Sequence, residues 1–243
     1  IQTAKDAMAA GDMIYAGKYS KPDYELLVSE GCDLAIENRM ITHSPEVVEM
    51  LQSFDIPVMI EYSSYEQHPL GKVEWVKFFG ALTGKEAEAE EAFAEQTEIL
   101  EKVESGEKTG KTIAFFYVTS NGLIQVRQST DYIPKLIELA GGRYIFEDLE
   151  DSGSGRSTLN MQVEDFYAGA KDADILIYNS SIDGGVTTLD ELIGKCNILK
   201  DFKAVQEGQV YCTTNDMYQQ SMAIGYLLQD MHTAVSYTHL RAH

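Results

Sequence analysis

From Lys72 to about Glu104 the chain keeps a helical repeat broken once, at Gly84, and this segment separates two series of strands and helices. Trp75, Phe79 and Leu82 form one apolar stripe, and Ala89, Phe93, Leu100 and Val103 continue it beyond the glycine. Glu86, Glu88, Glu90, Glu91, Glu95, Glu98 and Glu101 fall between them as a solvated face. The polar turn Gly106 to Gly110 ends the helix. A helical connector between two α/β series predicts an α/β fold of two lobes joined by one long helix, with a ligand cleft between the lobes. The expected division is residues 1–84 for the first lobe, 85–106 for the linking helix and 107–235 for the second lobe.

The first series carries its own punctuation. Asp33 to Ile36 is a short apolar run of strand length, and Ile56 to Ile60 is another. Between them Ser44-Pro45-Glu46 has the chemistry of a helix start: a capping hydroxyl, a proline suited to the first turn and an acid at the positive helix end. Val47, Leu51 and Phe54 then repeat at helical spacing. Strand, helix and strand with short links make a parallel crossover unit. In the second series, Thr112 to Val118 reads as a strand, and Tyr132 to Ala140 as a helix stopped by Gly141-Gly142. Arg143 to Phe146 is a short strand, Val163 to Ala170 a helix and Ile175 to Tyr178 a buried strand. Gln209 to Thr213 is a further strand, and Gln219 to about Val235 a closing amphipathic helix.

Charge narrows the function. The 243 residues hold 39 acids against 19 bases, a formal charge of -20, which excludes a phosphate-binding nucleic-acid protein. No run approaches the roughly 18 apolar residues of a membrane span. Cys32, Cys196 and Cys212 are far apart and form no CxxC pair, so each reads as a small hydrophobe, not a metal ligand. The chain opens on Ile1 in polar, helix-like sequence, and we expect an opening segment to precede it in the full protein. Ser236 to His243 breaks the helical pattern and is set apart as a non-native tail.

Catalytic patterns are weak. Gly153 to Thr158 lacks the glycine and lysine of a phosphate loop, having Glu150 and Arg156 in those places. His43 and His68 lack the close pairing of a metal site, and Ser63-Ser64 lacks a nucleophile-elbow motif. We therefore expect a protein that is not an enzyme and holds neither metal nor cofactor of its own. Aromatic side chains with polar tips are more informative, because they suit a half-wet cleft around a bulky chelate. Tyr62, Tyr65, Tyr178 and Tyr218 stand at or just past strand ends, and Tyr15 and Tyr19 bracket a loop. Ligands of open α/β sheets bind beyond the carboxyl ends of strands. The candidate ligand-binding residues are therefore Tyr15, Tyr19, Asn38, Arg39, Tyr62, Ser63, Tyr65, Asn121, Asn179, Ser181 and Tyr218. Arg39, Arg127 and Arg156 are candidates for anionic groups, which a guanidinium holds bidentately.

Several segments, in order along the chain, carry a resemblance. Pro22 to Leu27 followed by Gly31 to Ile36, Glu46 through Ile60, and Gly71 to Glu86 are three of them. Leu139-Ala140-Gly141-Gly142, Asp172 to Ile177 and Phe202 to Tyr211 are three more. Together they resemble the periplasmic binding proteins that serve iron-siderophore, haem and cobalamin ABC importers, without the family's opening strands and export signal. The resemblance implies capture of an iron complex, a ferric siderophore or haem-like chelate, outside the cytoplasmic membrane. Cobalamin, or a metal-cofactor enzyme on a related two-lobed scaffold, is the alternative. It further implies an ABC permease dimer with its ATPase subunits as partner, reached through an acid on each lobe. Glu46 matches the first of these positions. Gln219 stands at the second, with Asp216 nearby. Membrane association, in a lipoprotein, comes through an N-terminal anchor that this sequence lacks.

Overall fold

Two short parallel strands with one crossover helix organise the first part of the chain. The computed structural model describes residues 2–150, 157–214 and 217–236, with the backbone alone at Gln219, and its contacts divide it into units Ile1–Ser64 and Tyr65–His243. The first unit runs α1 (Gln2–Ala10), the hairpin strands β1 (Gly17–Lys18) and β2 (Lys21–Pro22), α2 (Tyr24–Ser29), β3 (Ala35–Asn38), α3 (Pro45–Ser53) and β4 (Val58–Glu61). Strand β3 pairs with β4 in parallel, Ala35 opposite Val58 and Asn38 opposite Glu61. Ile41, Val47, Leu51 and Ile56 form the buried centre. Phe54 is not part of it: placed at the helix C-cap, it is exposed and lies against Tyr24, ring centres 6.0 Å apart. Ser44 occupies the N-cap of α3 as the sequence suggests, yet its side chain makes no capping hydrogen bond. Gly17 is required by space, since a Cβ there would meet the Lys21 carbonyl at 2.6 Å and φ is +99°.

The second unit begins with α4 (Pro69–Thr83) and α5 (Glu86–Glu104). His68 caps α4 by accepting from the Leu70 N–H through Nδ1, and Gly84 ends it in the left-handed region, φ 66°. The chain reverses there, and the backbones approach so closely that a Cβ at Gly80 would lie 2.5 Å from that of Ala89. This approach selects the buried face of α4. It contains Val73 and Gly80, whereas Phe79 and Leu82 of the expected stripe are exposed. On α5 the expected Ala89, Leu100 and Val103 are buried, together with Gln96, which the periodicity does not pick out. The seven expected glutamates of its polar face are all exposed.

There follow β5 (Thr112–Val118), β6 (Ile124–Arg127), α6 (Tyr132–Leu139), β7 (Arg143–Tyr144), β8 (Thr158–Met161), α7 (Val163–Ala170) and β9 (Ile175–Tyr178). The chain then forms α8 (Leu189–Lys195), α9 (Lys203–Gln206), β10 (Val210–Cys212) and α10 (Ile224–Ser236). One sheet holds them in the order β10-β9-β5-β6-β8, with β7 also paired to β5. Strands β10, β9, β5 and β7 are parallel, and β6 runs antiparallel to both its neighbours, β5 and β8. Alternate side chains of the central strands feed two cores, as the two-residue period requires. Ile113, Phe115, Ile175 and Ile177 pack with α5, α6 and α10 on one face. Ala114, Phe116, Leu176 and Tyr178 pack with Phe166 of α7, Leu192 of α8 and Ala204 of α9 on the other.

Asp174 fixes the start of β9 beside that of β5. Its Oδ2 accepts from the Thr112 N–H and hydroxyl, both at 2.8 Å, and its Oδ1 accepts from Lys203 Nζ. Partial burial pushes its pKa up, but these donors prevail and hold the carboxyl below the ordinary value. The fold is mixed α/β, as expected. Among the described residues no helix is long and apolar enough to cross a membrane.

Candidate functional site

In the second unit, β5 to β7 is built outward in one direction over α6, and the chain then returns over α7 to β9 on the other side of β5. The order therefore reverses between β5 and β9, which is where open parallel sheets leave a crevice beyond their carboxyl ends. The residues that follow these strands are Thr119 after β5, Asn179 to Ser181 after β9 and Thr213 after β10. Asn179 is 2% exposed and organises the group. Its Oδ1 accepts from the Ser181 N–H at 3.2 Å and the Ser181 hydroxyl at 2.5 Å, while its Nδ2 donates to the Tyr218 hydroxyl at 2.7 Å. Thr213 Oγ1 accepts from the Ser180 N–H at 3.0 Å and so joins the ends of β9 and β10.

Arg127 approaches Tyr218 from β6. Its Cζ lies 5.2 Å from the centre of the Tyr218 ring and 5.8 Å from that of Phe115. The guanidinium meets Asp131 Oδ2 at 3.5 Å, the outer limit of a hydrogen bond, and both side chains are buried. Asp131 is itself the N-cap of α6, accepting from the Ile133 N–H at 2.9 Å. Burial raises its pKa against the opposing pull of Arg127, the Ile133 N–H and Lys72. The Arg127 backbone is held by Tyr144, whose hydroxyl accepts from its N–H at 3.0 Å and donates to its carbonyl at 2.8 Å. Burial pushes the Tyr144 phenol far above its usual range, so it remains a neutral donor.

The structure thus joins Arg127, Asn179, Ser181 and Tyr218 into one connected set. Asp131, Ser180 and Thr213 belong beside them, and sequence reasoning did not name Asp131 or Thr213 individually, because only the tertiary fold shows what they touch. Asn121 is exposed in the β5–β6 turn, where it accepts from the Thr119 hydroxyl at 2.6 Å. Tyr178 is an exception among the strand-end tyrosines: it is fully buried, and its hydroxyl donates to Asp183 at 2.9 Å. Arg156, the loop around it, Asn215, Asp216 and residues 237–243 lie outside the described residues.

In the first unit, β3 and β4 end level with one another. Asn38 caps the 3-10 turn Arg39–His43, accepting from the Met40 N–H at 2.8 Å, and Arg39 is exposed beside it. Beyond β4, Tyr62 is exposed, and the Ser63 N–H donates to Glu61. Tyr65, the first residue of the second unit, closes the 3-10 turn Ser63–Tyr65 and is exposed. Tyr15 and Tyr19 are exposed near the β1–β2 hairpin. Glu46 is exposed in the first turn of α3. Among the described residues no three His, Cys, Asp or Glu side chains gather as a metal site. Of the three free cysteines only Cys196 is buried, and Cys212 is exposed.

A mostly parallel sheet with a polar and aromatic set beyond its strand ends is the arrangement in which open α/β proteins bind ligands. The sequence profile of the periplasmic binding proteins matches residues 8–217, and the chain belongs to that family. An uncharacterized lipoprotein of Methanocaldococcus jannaschii is 28% identical over 88% of this chain and 50% of its own length. The chain therefore spans about half of that curated relative. Among solved structures, the periplasmic haem-binding protein HutB of Vibrio cholerae is similar with a TM-score of 0.72 and 13% identity, covering 92% of this chain and 85% of that one. A possible iron-binding periplasmic solute-binding protein of Staphylococcus epidermidis gives 0.69 and 18%, covering 90% and 82%. At these identities the two structures are likenesses of fold.

Proposed function

We propose that this chain is the substrate-binding component of an ABC importer, and that it captures an iron chelate outside the cytoplasmic membrane for delivery to a permease. The family match over residues 8–217 carries the reading. The strand-end set supports it, because Tyr218, Asn179, Ser181 and Arg127 offer an aromatic face, hydroxyls, an amide and a cation, and no nucleophile–base pair. The names of two structural likenesses, one haem-binding and one possibly iron-binding, favour a metal chelate. The chelate is cargo and leaves unchanged. A lipid anchor outside this sequence, consistent with the lipoprotein name of the relative, would hold the protein at the membrane face.

Native mass spectrometry of the chain with a ferric hydroxamate, ferric citrate, haem and cobalamin tests the proposal. Retention of at least one iron complex is expected. Retention of cobalamin alone moves the substrate class, and retention of none of the four removes the chelate reading.

Docking is proposed to use Glu46. As a helix-end charge it is worth about 0.5 kcal/mol to α3. On an exposed surface it is also available to a permease arginine as a charge-assisted pair. Glu46→Gln is expected to leave folding and chelate affinity unchanged, to weaken binding to the permease in nanodiscs at low salt, and to flatten the salt dependence. Unaltered permease binding at every salt concentration would leave Glu46 as a helix-end charge only, and loss of ligand would place it in the binding site. Gln219, at the position matching the second docking acid, carries no charge to test in this way.

A further inference from the structure

Asn121 is the only asparagine of the chain that precedes a glycine, and it stands in the exposed turn between β5 and β6. The backbone closes this turn: the Gly122 N–H donates to the Thr119 carbonyl at 2.9 Å, and the Thr119 N–H donates to the Leu123 carbonyl at 2.9 Å. Gly122 has φ +80°, and a Cβ built on it would meet nothing within 4 Å. Backbone conformation, not crowding, therefore calls for glycine here. With no side chain at Gly122, its nitrogen is open to the side chain of Asn121. That side chain is also polarised. The Thr119 hydroxyl donates to Asn121 Oδ1 at 2.6 Å, a shorter contact than its 2.9 Å to the Leu123 carbonyl, and it accepts from the Leu123 N–H at 2.9 Å. A hydroxyl has one proton to give, and the shorter contact directs it to the amide. A donor on that oxygen stabilises the negative charge that a nucleophile builds there.

We infer that Asn121 is a modification site, at which the Gly122 nitrogen attacks the Asn121 side-chain amide and converts the residue to aspartate and isoaspartate. Hydroxide from water removes the Gly122 amide proton, and the nitrogen forms a bond to Asn121 Cγ. The bond from Cγ to Nδ2 breaks, and Nδ2 takes a proton from water and leaves as ammonia. Water then opens the cyclic imide at either of its carbonyls. One opening gives aspartate on an unchanged backbone. The other gives isoaspartate, whose chain path is one carbon longer. Water is the only co-reactant. The obstacle is the hydrogen bond from Gly122 to Thr119, which must open before the nitrogen is free. Opening one exposed backbone hydrogen bond slows the attack by a factor of roughly 5, and the Thr119 donor recovers a similar factor. Both products place a new carboxylate beyond the end of β5, among the strand ends that also carry Asn179 and Thr213.

The test incubates the whole chain in mildly alkaline buffer and compares it with an unincubated sample after digestion by trypsin. Cleavage after Lys111 and Arg127 releases Thr112 to Arg127 as one peptide, with Asn121 its only asparagine. That peptide should gain about 1 Da on incubation, and electron-transfer fragmentation should place the gain at residue 121 and reveal isoaspartate there. The rate in the folded chain is expected within roughly tenfold of that in a free peptide of residues 119–123. Slower conversion than that, or none, would overturn the site, because the turn would then protect it. Thr119→Val removes the donor and also loosens the turn. It should slow conversion roughly 3- to 10-fold, and Thr119→Ser should restore the rate. An unchanged or faster rate in Thr119→Val would overturn the part assigned to the hydroxyl. In Asn121→Gln, where ring closure must span one more carbon, the peptide should gain no mass. A gain equal to that of the wild type would move the reaction to Gln125 and overturn the assignment to Asn121.

Discussion

Replacing Phe166 with alanine should remove about 3–5 kcal/mol of the stability of the second unit. Phe166 sits on α7, fully buried, at the centre of an aromatic cluster. Its ring centre is 4.9 Å from that of Phe116 on β5, 5.5 Å from Phe202 in a stacked arrangement and 6.0 Å from Phe146. The helix is pinned close by small residues: a Cβ at Gly169 would lie 2.8 Å from the Phe146 ring. With sheet on one side and aromatics on the others, the surroundings cannot collapse far into the vacated space, which puts the cost at the upper end for such truncations. Domain stabilities of roughly 5–15 kcal/mol make this a large fraction of the total. Trp75, the only tryptophan, lies in the second unit and reports its urea transition. The midpoint should fall with an unchanged slope, and Phe166→Leu should cost much less because it keeps most of the volume. A loss below about 1 kcal/mol for Phe166→Ala would show that the cluster repacks, contrary to the rigid arrangement described.

What the sequence disclosed depended on how local each signal was. The bounds of α5 were legible because Gly84 and the 106–110 turn punctuate it, and β5 and β9 because their apolar runs stand out against polar flanks. The β6–β8 pair was not: Ile124 to Arg127 and Thr158 to Met161 each alternate apolar and polar residues, but over only four positions, and their pairing lies in the sheet register. Helix α8 carries a local signature of its own, because Thr188 and Glu191 form a reciprocal capping box. Strand-end position is enough to pick out Asn179, Ser181 and Tyr218, which the structure joins by hydrogen bonds. Arg127 stands out by its charge alone. Its partner Asp131 follows from the tertiary fold, because the two are four residues apart on no common helix. Tyr178 shows the limit of position alone, since its ring turns into the core while its neighbour Asn179 bonds Tyr218.

Gln96 illustrates a polar residue that periodicity treats as solvent-facing and the fold makes structural. It is 2% exposed on α5, and its Oε1 accepts from the Gly225 N–H of α10 at 2.9 Å. That N–H lies in the first turn of α10, where no carbonyl of the helix itself is available to it. Gly225 is needed for the approach, because a Cβ there would lie 2.8 Å from Gln96 Oε1 and 3.1 Å from Ile99 Cγ2. Gln96→Ala should therefore cost about 3 kcal/mol, combining an orphaned buried donor with a cavity. Gln96→Met separates the two, keeping the volume while leaving the donor unmade, and should cost about 1–2 kcal/mol. Amide exchange gives a local readout: the Gly225 N–H should lose protection in both variants, beyond what the change in global stability explains. If Gln96→Met is as stable as wild type with Gly225 protection intact, the hydrogen bond is not what holds α10 against α5, and the close packing of Gly225 on Ile99 holds it instead.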